Sequence, residues 1–438
     1  MRNLRADALR IYFKTLERVS VSNLVRDKVL LEGSNLLVED STIDLSQYEE
    51  IVLVGLGKAS IQMASALLEL IPGRVVRGVV VASRRWPVPM PASVSTIIGG
   101  HPIPTAESVE GARLILEAVS SCTDRSLLLF LVSGGGSALA ELPVSDSISL
   151  DDLQTLNRLL VESEATIREI NTVRKMLSRI KSGRLGYLAR NRRGIAFYLS
   201  DVNSGDLRTI ASNPLLPEQT TRQDLDDVLD RYHLRPKLPS SIERALEGGT
   251  VEAPSGWDFT QGLTTVLLAD NSTAIRTAAD VAAGLGFVVQ FCDDLVEDSY
   301  QSIASEMAVR LKALKIAHPR EPVCLLSGGE SVCPVHGNGV GGRNQEFVLY
   351  SASSLKQSGL ENTAVVFCAG TDGVDGNSTA AGAVMGFGSA VRAFQRDCNP
   401  SVFIDNSDSH AFFSKAGGLV VTGPTGNNVR DIRMMLAC

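Results

Sequence analysis

Apolar runs of strand length alternate along the chain with amphipathic stretches of helix length. Ile51 to Val54, Leu127 to Val132 and Ile195 to Leu199 contain no polar alternation, as strands covered on both faces require. Ala59 to Leu70 has helical periodicity and stops before Pro72 and Gly73, and Val75 to Val81 reads as the next strand. Strand, glycine turn, helix and strand in that order predict a parallel βαβ unit. Ser149 to about Leu188 is helical and strongly charged, and Asn213 to about Asp258 is polar and proline-rich, the best candidate for a hinge. A second alternation follows: Thr264 to Asp270 as strand, Asn271 to Gly284 as helix, Gly286 to Gln290 as strand and Val296 to Ile316 as helix. Strands at Pro322 to Leu326, Thr363 to Cys368 and Gly418 to Val421 complete it. At the other end, Leu4, Ala8, Ile11 and Leu16 share one face of an N-terminal helix.

The 438 residues, 44% of them hydrophobic, suffice for two domains with large cores. A net charge of −7 argues against a nucleic-acid partner, which would want a basic face, while a small anionic substrate needs only a few local cations. Seven scattered cysteines without a Cys-x-x-Cys pair suit free thiols in a reducing compartment. The first residues lack a signal-peptide apolar core, and Asp7 and Glu17 weigh against a mitochondrial presequence. No run reaches the roughly 20 apolar residues of a membrane span. A cytoplasmic protein is expected.

Several strands end in glycine-rich turns. Ser133 to Leu139 reads SGGGSAL, where three glycines let backbone N–H groups approach an anion; the same pattern also makes a plain strand-to-helix turn. Ser327 to Ser331, SGGES, repeats the idea. In GLGKAS, Gly55 to Ser60, Walker A fails because Val52 and Ala59 stand where glycine and a hydroxyl are needed. A dinucleotide fingerprint fits Gly55 and Gly57 but meets Ser60 at its third glycine; Arg84 and Arg85 after the next strand keep an NADP reading open. Lys58 and Arg343 both fall at helix starts, where a cation is locally unfavourable and calls for a compensating anion. His101 reads as a turn residue, and Arg174, Lys175, Arg179, Lys181 and Arg184 as a solvated face of which some members could enter a cleft. Asp201 sits at the end of a strand, where α/β sheets bind ligands, although Asp is also ordinary turn chemistry. Asp372 and Asp375, three apart among glycines, form either a divalent-cation pair or a bare turn.

Taken together, GLGKAS, GGHPIPTAES, SGGGSAL, INTVRKMLSRIKSGRL, LSDVNSGD, LLSGGES, GGRNQEF, AGTDGVDG and TGPTGNNVRD resemble, in order and over nearly the whole chain, the class II glycerate kinases (glycerate 2-kinases), whose C-terminal part is the MOFRL domain. The resemblance implies an α/β fold of two domains with the active site in the cleft between them. The larger is a Rossmann-like parallel-sheet domain over residues 1–250. The smaller α/β region, 251–438, contains the MOFRL domain at about 322–431. It further implies ATP- and Mg²⁺-dependent phosphorylation of D-glycerate at its 2-hydroxyl, with ATP and D-glycerate as partners and a homodimer compatible. The catalytic cations map to Lys58 and Arg343, and the nucleotide-binding loop to Ser133, Gly134, Gly135, Gly136 and Ser137. Asp201, Asn271, Asn344 and Glu346 are expected as substrate-binding or supporting residues, and Asp372 and Asp375 as metal ligands. The chain departs from the family pattern at Asn213, between Asn203 and Asp206, and at Asp270 with Asn271. Alternatives are an NADP-linked hydroxypyruvate reductase and a nucleotide- or anion-binding protein without catalysis.

Overall fold

A computed structural model of the chain describes residues 2–202, 205–217, 220–248, 262–360, 363–386 and 399–438. They form two compact units. One, central in the chain, comprises residues 24–200 and 204–268; the other, the terminal unit, comprises residues 1–23, 201–203 and 269–438.

The central unit begins with an antiparallel meander, β1 (Val29–Glu32), β2 (Asn35–Val38) and β3 (Ser41–Asp44). Its main sheet contains β4 (Glu50–Leu56), β5 (Val76–Ala82), β6 (Val94–Ile98), β7 (Ser126–Ser133), β8 (Gly194–Leu199) and β9 (Leu263–Ala269), in the order β6-β5-β4-β7-β8-β9. Pairings β4/β5, β5/β6, β4/β7 and β7/β8 are all parallel. Every residue of β7 and β8 is buried, which explains their unbroken apolar sequence. The chain winds outward from β4 to β6, then returns to β7 on the other side of β4. That reversal is the topological switch point at which open α/β sheets bind ligands. Gly57 and Ser133 stand at its two strand ends.

The charged stretch 149–188 forms three helices, Leu150–Glu162, Ile167–Met176 and Arg184–Leu188. Thr166 interrupts it by capping the second of them reciprocally with Glu169, and Gly183 turns left-handed (φ 71°) before the third. The expected hinge at 213–258 is in large part structured: helices Arg222–Arg231 and Ser240–Glu247 bury Leu225, Leu229, Ile242 and Leu246 against Leu153, Leu156, Leu160 and Val173. Residues 249–258 of that stretch, and Asn203 and Ser204, lie outside the described residues.

The terminal unit is built on a mixed sheet of β10 (Val288–Phe291), β11 (Val323–Ser327), β12 (Ala364–Gly370), β13 (Gly382–Gly386), β14 (Leu419–Val420) and β15 (Asp431–Ala437), in the order β10-β11-β15-β12-β13-β14. β10 and β11 are parallel, and β15 enters antiparallel between β11 and β12. Helix Leu4–Arg18 belongs here, which differs from the expected N-terminal domain of residues 1–250. Its buried face carries Leu4, Ala8, Ile11 and Tyr12; the Tyr12 ring lies 4.9 Å from that of Phe367, and its hydroxyl donates to the Gly370 carbonyl at 2.6 Å. Among the described residues no helix is long and apolar enough to cross a membrane.

Candidate active-site elements

In the central unit the sequence-predicted loop residues come together at the switch point. Gly57 adopts φ 129°, and a Cβ there would stand 2.4 Å from the Ser133 carbonyl oxygen, so only glycine lets the ends of β4 and β7 meet this closely. The Lys58 N–H donates to the Gly134 carbonyl at 2.9 Å, and the Ala59 N–H donates to Ser133 Oγ at 3.1 Å. These bonds tie the GLGKAS turn to the SGGGSAL loop. Gly135 is left-handed (φ 79°), and a Cβ there would lie 3.1 Å from Lys58 Cε and 3.0 Å from His101 Cδ2. The lysine side chain and the imidazole therefore converge over the loop. Burial, with Lys58 and Arg174 nearby, pushes the His101 pKa down to about 4, so the ring is neutral at physiological pH.

The loop is braced from its far side. Ser137 Oγ and Ser212 Oγ are 2.7 Å apart, and Ser212 Oγ donates to Asn171 Oδ1 at 3.1 Å. Ala211, Ser212 and Asn213 are all left-handed, with φ of 51°, 56° and 57°. Asn213 tolerates this conformation because its side chain accepts the Leu216 N–H at 3.0 Å.

Arg174, on helix Ile167–Met176, is half-buried, and its Nε is out of solvent with no hydrogen-bond partner. Two of the basic residues after it have carboxylate partners: Arg179 reaches Asp146 at 2.6 Å, and buried Lys181 pairs with Glu141. Lys58 and Arg174 meet no carboxylate among the described residues. The role of Arg174 was open in the sequence, where only its i,i+3 spacing from Asn171 could have pointed to the loop.

In the terminal unit, helix Arg343–Ser358 starts after the glycine run and presents Arg343 to two acids. Arg343 Nε donates to Asp431 Oδ2 at 2.5 Å and its terminal nitrogen to Asp431 Oδ1 and Glu330 Oε1, each at 3.0 Å. Burial opposes the charge on Arg343, but Asp431 and Glu330 hold its pKa above the ordinary arginine value. Asn344, buried, donates to Asp431 Oδ1 at 3.1 Å. Asn271 ties the SGGES loop to the last strand: its amide donates to the carbonyls of Val429 and Asp431, and its oxygen accepts the Gly329 N–H at 2.7 Å.

Asp375 caps the same helix. Its carboxylate accepts the N–H groups of Asn344 and Gln345 at 3.0 and 2.9 Å and the Gln345 amide at 2.8 Å. Burial nonetheless raises its pKa to about 6. Asp372 accepts the Val374 N–H and lies near Asp431, where both would crowd a Cβ at Gly370. Asp372 and Asp375 thus have different neighbours, and among the described residues no three His, Cys, Asp or Glu side chains group as a metal site. The Asp201 carbonyl accepts from Arg430 Nε. Glu346, 3% exposed, belongs to the wall of a cavity of about 340 Å³ shared with Arg343, Ser331, Cys333 and Asn377. Its oxygens lie close to Ser409 without a well-formed hydrogen bond, and burial raises its pKa to about 7 against the lowering effect of Ser409.

Comparison with known proteins matches two successive segments of the chain. Residues 7–247 match a domain of unknown function (DUF4147), and residues 323–431 match the MOFRL family. A D-glycerate 2-kinase of Thermotoga maritima is 32% identical over 433 residues, covering 98% of this chain and 97% of the relative. A protein of Agrobacterium vitis with the provisional name hydroxypyruvate reductase is 35% identical over 394 residues, 88% of this chain and 98% of its own. The crystal structure of a Thermotoga maritima glycerate kinase superposes with a TM-score of 0.85 at 31% identity, covering 99% of both chains.

Proposed function

Because the chain belongs to the class II glycerate kinases, the family that carries the MOFRL domain, we propose that it transfers the γ-phosphoryl group of ATP to the 2-hydroxyl of D-glycerate, giving 2-phosphoglycerate and ADP. The carrying observation is the Lys58 side chain held over Gly135 with no carboxylate among the described residues to neutralise it. A cation so placed, beside a loop whose backbone an anion can approach, suits a phosphate chain.

In the reaction the glycerate 2-oxygen forms a bond to the γ-phosphorus as the bond to the β,γ-bridging oxygen breaks. Charge spreads over the phosphoryl oxygens and the leaving ADP. The loop Ser133–Ser137 positions the phosphates, and Lys58 and Arg343 are the catalytic cations. Arg343 is already oriented by Asp431 and Glu330, and its planar fork suits a carboxylate or a phosphoryl group. Mg²⁺ would be carried by the nucleotide phosphates and would neutralise the developing charge, with Asp372 and Asp375 as the carboxylates to reach it; among the described residues no three His, Cys, Asp or Glu side chains group as a cage.

A nicotinamide reductase is disfavoured by the use made of the GLG turn: the close approach at Gly57 is taken up by Ser133 of the neighbouring strand. The deciding experiment incubates the protein with ATP, Mg²⁺ and D-glycerate, follows ADP release and assigns the product by phosphorus NMR. Phosphate on the 3-hydroxyl, or no ADP release, would sink the reading.

A further inference from the structure

We propose that Arg174 is a further phosphate-binding residue of the central unit, contacting directly the anionic oxygens of the polyphosphate chain held by residues 133–137. The inference deepens the kinase reading and rests on it for the identity of the anion.

Three structural observations converge. Asn171, three residues before Arg174 and so on the same face of helix Ile167–Met176, bonds through Ser212 to Ser137 at the foot of the loop. That chain brings this helix face against the loop. His101, packed over Gly135 beside Lys58, has both Lys58 and Arg174 among the charges acting on it, so the arginine lies near the ring that covers the loop. Arg174 also has no hydrogen-bond or ion-pair partner among the described residues, although its Nε is out of solvent.

A guanidinium cannot shed its charge as a buried lysine or carboxyl can. Holding it half-buried and unpaired is costly, and burial works against its charge. A bound polyanion removes that penalty, and the planar fork matches phosphate oxygens bidentately. Arg77 and Lys181 of the same unit show the contrast: Arg77 grips Glu50 at 2.7 and 2.9 Å, and Lys181 has Glu141. His101, neutral beside two cations, offers a ring N–H without adding a third charge.

The test uses the full chain with Arg174→Gln and Arg174→Lys. Binding of the non-hydrolysable β,γ-methylene analogue of ATP and of inorganic tripolyphosphate is measured by calorimetry, and steady-state kinetics are run with ATP and D-glycerate varied separately. Arg174→Gln is expected to weaken binding of both probes and to lower kcat/KM for ATP by roughly 10- to 100-fold, with KM for glycerate little changed. Arg174→Lys should recover part of the loss. Millimolar guanidinium ion should restore part of the turnover of Arg174→Gln, which a purely structural role would not permit. Wild-type affinity of Arg174→Gln for both probes would overturn the proposal. So would equal loss toward both substrates, with a lowered melting temperature and no rescue. If the wild type bound the probes but transferred no phosphate to glycerate, the kinase reading would fall while the binding comparison still decided the role of Arg174.

Discussion

Lys58 and Arg174 in the central unit meet no carboxylate among the described residues, whereas Arg343 in the terminal unit is gripped by Asp431 and Glu330. Both regions are glycine-rich turns at the ends of strands, yet their electrostatics are opposite. One holds positive charge open and spends stability to do so. The other has neutralised its cation internally, and an incoming anion must compete with Asp431, whose side chain is only 1% exposed. The contrast teaches that a cation at a helix start, the shared sequence signal, does not by itself report whether its anion is a ligand or a neighbour.

Substitutions can break or sharpen this comparison. The largest effect is expected for Lys58→Ala: kcat should fall about 1,000-fold, some 4 kcal/mol in the barrier, with the melting temperature unchanged or raised because an unpaired cation has been removed. Near-full turnover would remove Lys58 from the mechanism. Asp431→Ala should instead cost about 3 kcal/mol of folding stability in urea titration, since it strips Arg343 of its bidentate partner and Asn344 of an acceptor. Equal destabilisation by the two variants would erase the distinction between the regions.

Glu346 gives a smaller effect with a definite pH signature. Its carboxyl titrates near 7 in the folded state, above the ordinary value of about 4.3 in the unfolded chain. The folded state therefore keeps a proton that the unfolded chain releases, and stability declines as pH rises through that interval and levels off above it. Glu346→Gln should abolish up to about 3 kcal/mol of the difference between pH 4.5 and 8, read from denaturant midpoints at several pH values. An unchanged slope would mean that the carboxyl is not buried as a proton-holding group. Smallest is Ala211→Gly, which relieves a left-handed alanine at φ 51° and should stabilise the protein by about 0.5 kcal/mol without altering turnover.

The parallel unit was legible because its strands are buried on both faces and leave apolar runs, and because its glycine turns fall at strand ends. The loop at Ser133–Ser137 and Lys58 were legible for the same reason. Arg174 was not, since helical periodicity pairs it with Asn171 but cannot say which face meets the loop. The partner of Arg343 was hidden by distance: Asp431 lies 88 residues away, and only the antiparallel entry of β15 brings it near. The cap that Asp375 places on helix Arg343–Ser358 was not legible, because three-residue spacing among glycines looks the same for a carboxylate pair, a turn and a cap from a neighbouring loop. The packing of the first helix was not legible either, because an amphipathic stripe reveals a buried face without revealing which core buries it.

The terminal unit draws on both ends of the chain, and this has a consequence for biosynthesis. Phe367 and Gly370, which receive Tyr12, are made some 350 residues after helix Leu4–Arg18. At typical translation speeds that interval is on the order of tens of seconds. The sequence of the central unit emerges in full before it ends, so the nascent chain passes through a stage in which an apolar helix face is made and its home is not. Such a helix is a natural client for a chaperone that shields amphipathic segments, and truncating the chain before β12 should leave it without its native berth.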